Sequence, residues 1–66
     1  MNIEMSKIIQ LIQEKSFQKA EIEIRKSLKK SPESFEFNKA LGITLLSQRK
    51  YNQSLLAFNK CYELNK

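Results

Sequence analysis

Residues 50–66 read KYNQSLLAFNKCYELNK, and residues 16–32 read SFQKAEIEIRKSLKKSP. Laid over one another, the two stretches share few identities but agree in size and polarity where helices pack. Phe17 falls on Tyr51, Ala20 on Ser54, Ile24 on Phe58, Ser27 on Cys61 and Leu28 on Tyr62, at an offset of 34 residues. Leu11 falls on Leu45 and Ile9 on Ile43 at the same offset. Self-similarity at such a period is the mark of stacked supersecondary units, none of which buries its apolar face alone.

Working outward, the apolar series Ile3, Met5, Ile8, Ile9, Leu11 and Ile12 has 3–4 spacing and predicts an amphipathic helix over about 2–14. Ser16 is then a suitable N-cap for a second helix over about 17–30, with Phe17, Ala20, Ile24, Ser27 and Leu28 on its inner face. Arg25, Lys26, Lys29 and Lys30 sit in its last turns, at the negative end of the helix dipole. Ser31-Pro32 ends it, because the residue before a proline disfavours the α region. Ser31 or Ser34 caps a third helix, about 34–48, that carries Phe37, Leu41, Leu45 and Leu46. A short turn near Arg49-Lys50 leads to a fourth, about 51–65, with Tyr51, Leu55, Phe58, Tyr62 and Leu64. Short links make sequential helices antiparallel neighbours, so the fold class is all-α, two helix-turn-helix hairpins.

Two helices per 34-residue unit resemble the tetratricopeptide repeat. The residues that carry the resemblance are Leu41-Gly42, then Leu45, Tyr51, Ser54, Phe58 and Cys61. They are similar to the family's Leu-Gly, large, Tyr, small, aromatic, small series. Asn38 stands where the family has Trp, and Lys66 where it has Pro. A weaker copy upstream consists of Ile8, Leu11, Phe17, Ala20, Ile24, Ser27 and Pro32, with Lys7-Ile8 in place of Leu-Gly. The resemblance divides the chain into a degenerate first repeat, residues 1–34, and a second repeat, residues 35–66, as the start of an α-solenoid. It also accounts for Gly42, the single glycine, which costs roughly 1 kcal/mol against alanine inside a helix. Helices A and B of such a repeat cross closely, so the fourth helix's backbone is expected where a Cβ on residue 42 would collide.

Composition limits the remaining classes. A chain of 66 residues is one small domain and marginal on its own. One cysteine and no histidine exclude an internal disulfide and argue against zinc. No apolar run nears the roughly 20 residues that span a bilayer. MNIEMSKIIQLIQ is broken by Glu4 and Lys7 and lacks a small-residue cleavage site, so it is a poor signal peptide, and the cytoplasm is the expected compartment. The net charge of +5 comes from bases spread along the chain, apart from the Arg25–Lys30 cluster. That cluster has no interleaved aromatic residues for base stacking, so a solvated helix end is expected there and not a nucleic-acid site.

Catalytic chemistry is not expected. Cys61 has no histidine to activate it and sits at a packing position. Glu21 and Glu23 lie two apart on a helix and do not meet as paired carboxylates. No Gly-rich phosphate loop or metal-ligand cluster is present, and no cofactor is implied.

In a stacked array each helix A buries one side against the preceding helix B. Phe37, Leu41 and Thr44 form that side in the second repeat; Ile3, Lys7 and Gln10, with Glu14 a turn later, replace them in the first. Residues 1–14 therefore read as the exposed start of an array. At the other end Leu55, Tyr62 and Leu64 form an apolar edge, to be covered by further repeats or by a homodimer. The resemblance further implies a groove lined by helix A, at Asn2, Met5, Ile9, Ile12 and Gln13, then Glu36, Lys39, Ile43, Leu46 and Ser47. Met5, Ile9, Ile12, Ile43 and Leu46 make it apolar, suited to a peptide or a partner helix, with Lys39 and Glu36 setting polar register. The same five residues are also suited to core between helices or to a dimer interface. Family members that hold a peptide carboxylate use Lys and Asn at positions filled here by Met5, Ile9 and Ala40, so that mode is not expected. The expected function is a protein–protein interaction scaffold. The alternatives are the N-terminal segment of a larger enzyme, such as a transferase, and a self-associating helical module.

Overall fold

A computed structural model describes residues 3–65; Met1, Asn2 and Lys66 lie outside the described residues. Its elements are α1 (Ile3–Gln13), α2 (Phe17–Lys30), α3 (Phe35–Ser47) and α4 (Tyr51–Leu64), with no strand among the described residues. The fold is all-α. Each helix falls within a residue or so of the span its apolar spacing predicts. Glu4 at 27 and Lys7 at 23 show the sense of the first hairpin: Ser27 Oγ donates to Glu4 Oε2 at 2.6 Å, and Lys7 Nζ lies 3.5 Å from Glu23. Cys61 Sγ reaches the Phe35 carbonyl at 3.7 Å and Ser54 Oγ the Gly42 carbonyl at 2.8 Å, so α3 and α4 also run antiparallel.

The two hairpin turns have the same backbone. Lys15 and Arg49 adopt left-handed φ values of 61° and 63° and are the positive-φ residues of the described chain. Around them Ser16 N–H donates to the Leu11 carbonyl at 2.8 Å and Lys50 N–H to the Leu45 carbonyl at 2.9 Å. Lys15 N–H donates to Ile12 and Arg49 N–H to Leu46, at 3.0 and 2.9 Å. This six-to-one plus five-to-two pairing is the Schellman end of a helix, usually built on glycine. Every one of these bonds recurs at the offset of 34 found in the sequence.

That turn explains a departure from expectation. Ser16 stands at the N-cap of α2, but its side chain makes no capping bond. With three-residue links, the residue that closes the Schellman turn is also the N-cap of the next helix. Ser16 is thereby held at φ −88°, ψ 63° and Lys50 at φ −91°, ψ 70°, away from the extended region in which a side chain reaches back to the first turn. A lysine serves there as well as a serine. The link before α3 is longer. Ser34 keeps extended backbone and accepts from Phe37 N–H at 3.2 Å, the cap that the sequence offered as one of two choices. Ser31 instead closes the turn over Pro32, taking Ser34 N–H at 3.1 Å.

α1 packs on α2, α2 on α3 and α3 on α4, and α1 also touches α3; the backbones of α2 and α4 stay apart. One core runs through both hairpins: Ile8, Ala20 and Ile24 join Phe37, Ala40, Leu41, Leu45 and Ala57, with Met5, Leu11, Ile12 and Leu28 against it. The hydroxyl of Thr44 is fully buried with no hydrogen-bond partner among the described residues. A group left in that state costs about 1–3 kcal/mol.

Gly42 is required by a side chain, not by a backbone. A Cβ built on it would lie 2.8 Å from the Phe58 ring, too close for carbon. The approach of the two backbones is marked by Ser54, whose hydroxyl reaches the Gly42 carbonyl. The first hairpin fills the equivalent positions differently, with Ile8 and Ile24 both fully buried. Two medium residues there take the place of one ring over one glycine.

Gly42→Ala is expected to destabilise by about 1–2 kcal/mol from overpacking. In a Phe58→Val background the same change should stabilise by up to about 1 kcal/mol, the helix propensity of alanine over glycine. A double-mutant cycle by urea denaturation measures the difference, and additive effects would refute the contact as the reason for glycine. Lys15→Gly and Arg49→Gly should each raise stability, by about 0.5–1 kcal/mol, by relieving the left-handed strain. Thermal melts of the two single variants check this.

Candidate functional site

The helices that begin each hairpin, α1 and α3, lie side by side. On α3, the face turned from the core carries Ile43 and Leu46, 38% and 50% exposed, with Lys39 a turn earlier in the open. On α1, Ile9 is 47% exposed, whereas Met5 and Ile12 are half-buried and lie against the core cluster. The five apolar residues thus divide into an open set, Ile9, Ile43 and Leu46, and a pair, Met5 and Ile12, that shares the floor with the core. Gln13, Glu36 and Ser47 are exposed beside them, and Asn2 lies outside the described residues.

α4 presents a second apolar surface. Leu55 and Tyr62 are 59% and 74% exposed, and Leu64 is half-buried. Tyr51 and Leu56 are open as well. At the opposite end Ile3 is open, Lys7 pairs with Glu23, and Gln10 donates to Glu14 at 3.2 Å.

Glu21 was not singled out by sequence reasoning as more than one half of a non-pair, and the fold gives it a larger part. Its carboxylate is 13% exposed and takes Arg25 Nε at 2.8 Å, Gln48 Nε2 at 2.9 Å and Lys50 Nζ at 3.2 Å. Gln48 caps the end of α3 and Lys50 precedes α4, so one carboxylate clasps the first hairpin to the turn of the second. Burial pushes its pKa up. The hydrogen bonds from Arg25, Gln48 and Lys50, with the charge of Arg25, outweigh burial and bring it from 4.5 down to about 2. The signal in the sequence is partial: Arg25 four residues on is a readable helix pair, but Gln48 and Lys50 are brought in only by the fold.

The remaining chemistry-bearing residues are held structurally. Burial pushes the Cys61 thiol up, with Lys39 offsetting part of the effect, and its sulfur faces the Phe35 carbonyl. Asn38 is buried where its Nδ2 donates to the carbonyls of Pro32, at 3.2 Å, and Ser34, at 2.8 Å, tying α3 to the loop before it. In the basic cluster Arg25 pairs with Glu21 and Lys26 with Glu23, while Lys29 and Lys30 stand exposed in the last turn of α2. Among the described residues no three metal-ligating side chains come together, and no helix is long and apolar enough to cross a membrane.

Compared with models of protein families, with curated proteins and with solved structures, the chain matches none. Its surfaces alone carry the functional reading.

Glu21→Gln should lower stability near neutral pH by about 1–3 kcal/mol, the range for breaking a buried charge-assisted network. The folded pKa lies below the unfolded one. The carboxylate's contribution is therefore complete above about pH 4.5 and is lost as pH falls toward 2. Wild type and variant should converge across that window. Urea melts at several pH values measure it; a gap that persists undiminished at the acid end would exclude the clasp as its source.

Proposed function

We propose that the chain is a protein-interaction module built of two tetratricopeptide-like hairpins, acting in the cytoplasm, which holds a peptide or helix of a partner protein against the face shared by α1 and α3. The observation that carries this reading is the placement of Ile9 and Ile43 at the same position of the two hairpins, half-exposed on adjacent helices, with Leu46 extending the strip. An amphipathic segment laid across them would remove that apolar surface from water, the main source of affinity in helix-in-groove recognition. Lys39 and Glu36 stand exposed on α3 to pair with the segment's polar residues.

A second reading rests on α4. Tyr51, Leu55 and Tyr62 occupy the positions that Phe17, Glu21 and Leu28 hold on α2, where α3 packs. On α4 all three are open. Further repeats, or a second copy of the chain, would cover them.

The test of the first reading is selection from a displayed peptide library, followed by titration against Ile9→Asp/Ile43→Asp. Both side chains are half-exposed, so the double variant should keep its helical circular dichroism. The selected peptides should carry apolar residues at helical spacing and lose tenfold or more in affinity, about 1.4 kcal/mol. Unchanged affinity in a folded double variant would refute the assignment of this face.

A further inference from the structure

Because α2 and α4 stay apart, a crevice lies between them with α3 as its floor. Its volume is about 280 Å³. Leu41, Leu45 and Ala57 line it, all nearly buried, and Leu56, 70% exposed, stands at its lip. Arg25 and Lys60 line it from α2 and α4, and Arg25 Nη2 reaches Gln53 Oε1 across the gap at 3.3 Å. This is a different flank of α3 from the one that carries Ile43 and Leu46. Nothing in the interaction face described above uses it.

The charges here are unbalanced. Glu21 is shared between Arg25 and Lys50, one carboxylate for two cations. Lys60 makes no ion pair among the described residues, and no carboxylate lines the crevice. An apolar floor beside Lys60, which has no ion-pair partner among the described residues, and beside Arg25, which shares a single carboxylate with Lys50, attracts a ligand that is apolar at its centre and anionic at its edges. Pockets for small molecules run from about 300 to 1,000 Å³ and are mostly enclosed. A shallower space just under that range suits one large side chain. We infer that this crevice is a docking site for an acidic peptide segment, which places a single leucine or phenylalanine over Leu41 and Leu45 and sets carboxylates against Lys60 and Arg25.

The probe is a fluorescein-labelled peptide, Glu-Asp-Leu-Phe-Asp-Glu, titrated by fluorescence polarisation at two salt concentrations. Two controls accompany it: the same peptide with Ser-Ser at its centre, and a labelled single-stranded oligonucleotide. The acidic peptide should bind and weaken as salt rises, and the Ser-Ser peptide should bind at least tenfold more weakly. Lys60→Glu, at a half-buried surface lysine, and Leu56→Asp, at an open side chain, should each reduce affinity at least tenfold while circular dichroism stays unchanged. Lys60→Glu should also gain affinity for a peptide flanked by lysines, a swap that general loss of structure would not produce. Ile43→Asp should leave binding intact, which separates this site from the α1–α3 face. The inference is overturned by no binding of the acidic peptide, by equal binding of the Ser-Ser peptide, by tighter binding of the oligonucleotide, or by loss with Ile43→Asp but not with Lys60→Glu.

Discussion

The seating of the Phe58 ring over Gly42 is the contact on which the second hairpin depends. It permits the approach at which Ser54 reaches the Gly42 carbonyl, and that approach fixes where α3 lies. α3 is the hub of the molecule. It packs against the other three helices, supplies Phe37, Ala40, Leu41 and Leu45 to the core, and carries Ile43 and Leu46 outward. A residue larger than glycine at 42 would push α4 away and alter the floor of the crevice and the α2–α4 spacing together. The first hairpin does not share this sensitivity, because Ile8 and Ile24 divide the same space between two flexible aliphatic chains.

Between hairpins the joint is mixed. Apolar contacts from Ala20, Ile24 and Leu28 accompany one buried carboxylate with three donors. An apolar joint tolerates sliding, since dispersion and burial have no direction. A carboxylate fixed by Arg25, Gln48 and Lys50 does not, because each bond loses strength quickly with angle and distance. Glu21 therefore sets the angle between the hairpins as well as adding to stability. Position 55, its counterpart in the second hairpin, is leucine, so a joint built there would lack such a fixing group.

Much of the fold was legible because its determinants are local. Helix spans followed from 3–4 spacing and the break at Ser31-Pro32 from proline sterics, while the cap of α3 was narrowed to Ser31 or Ser34 and is Ser34. The offset of 34 extends to the hydrogen bonds of both hairpin turns. What escaped was set by tertiary geometry. Ser16 looked like a cap, yet the turn that precedes it dictates its backbone. Gly42 was expected to admit a backbone and admits a ring, since nothing local says how deeply Phe58 reaches. Glu21 drew two of its three partners, Gln48 and Lys50, from far along the chain, and the crevice between α2 and α4 likewise joins distant segments. Of the groove residues, apolarity was readable, but the division between Ile9, Ile43 and Leu46 outside and Met5 and Ile12 against the core depends on small rotations of α1 that periodicity does not resolve.

The doubled duty of Ser16 and Lys50 has a consequence for how the chain acquires its shape. The backbone of each turn is closed by bonds to carbonyls a few residues upstream, and Glu21 reaches the second turn only through the side chains of Gln48 and Lys50. Turns so specified need no distant segment to set their backbone, and topologies rich in short-range contacts are the fastest to fold. The same economy leaves no slack. One residue inserted into either link would separate the end of one helix from the start of the next, and the two functions that now meet in a single amino acid would be divided between two.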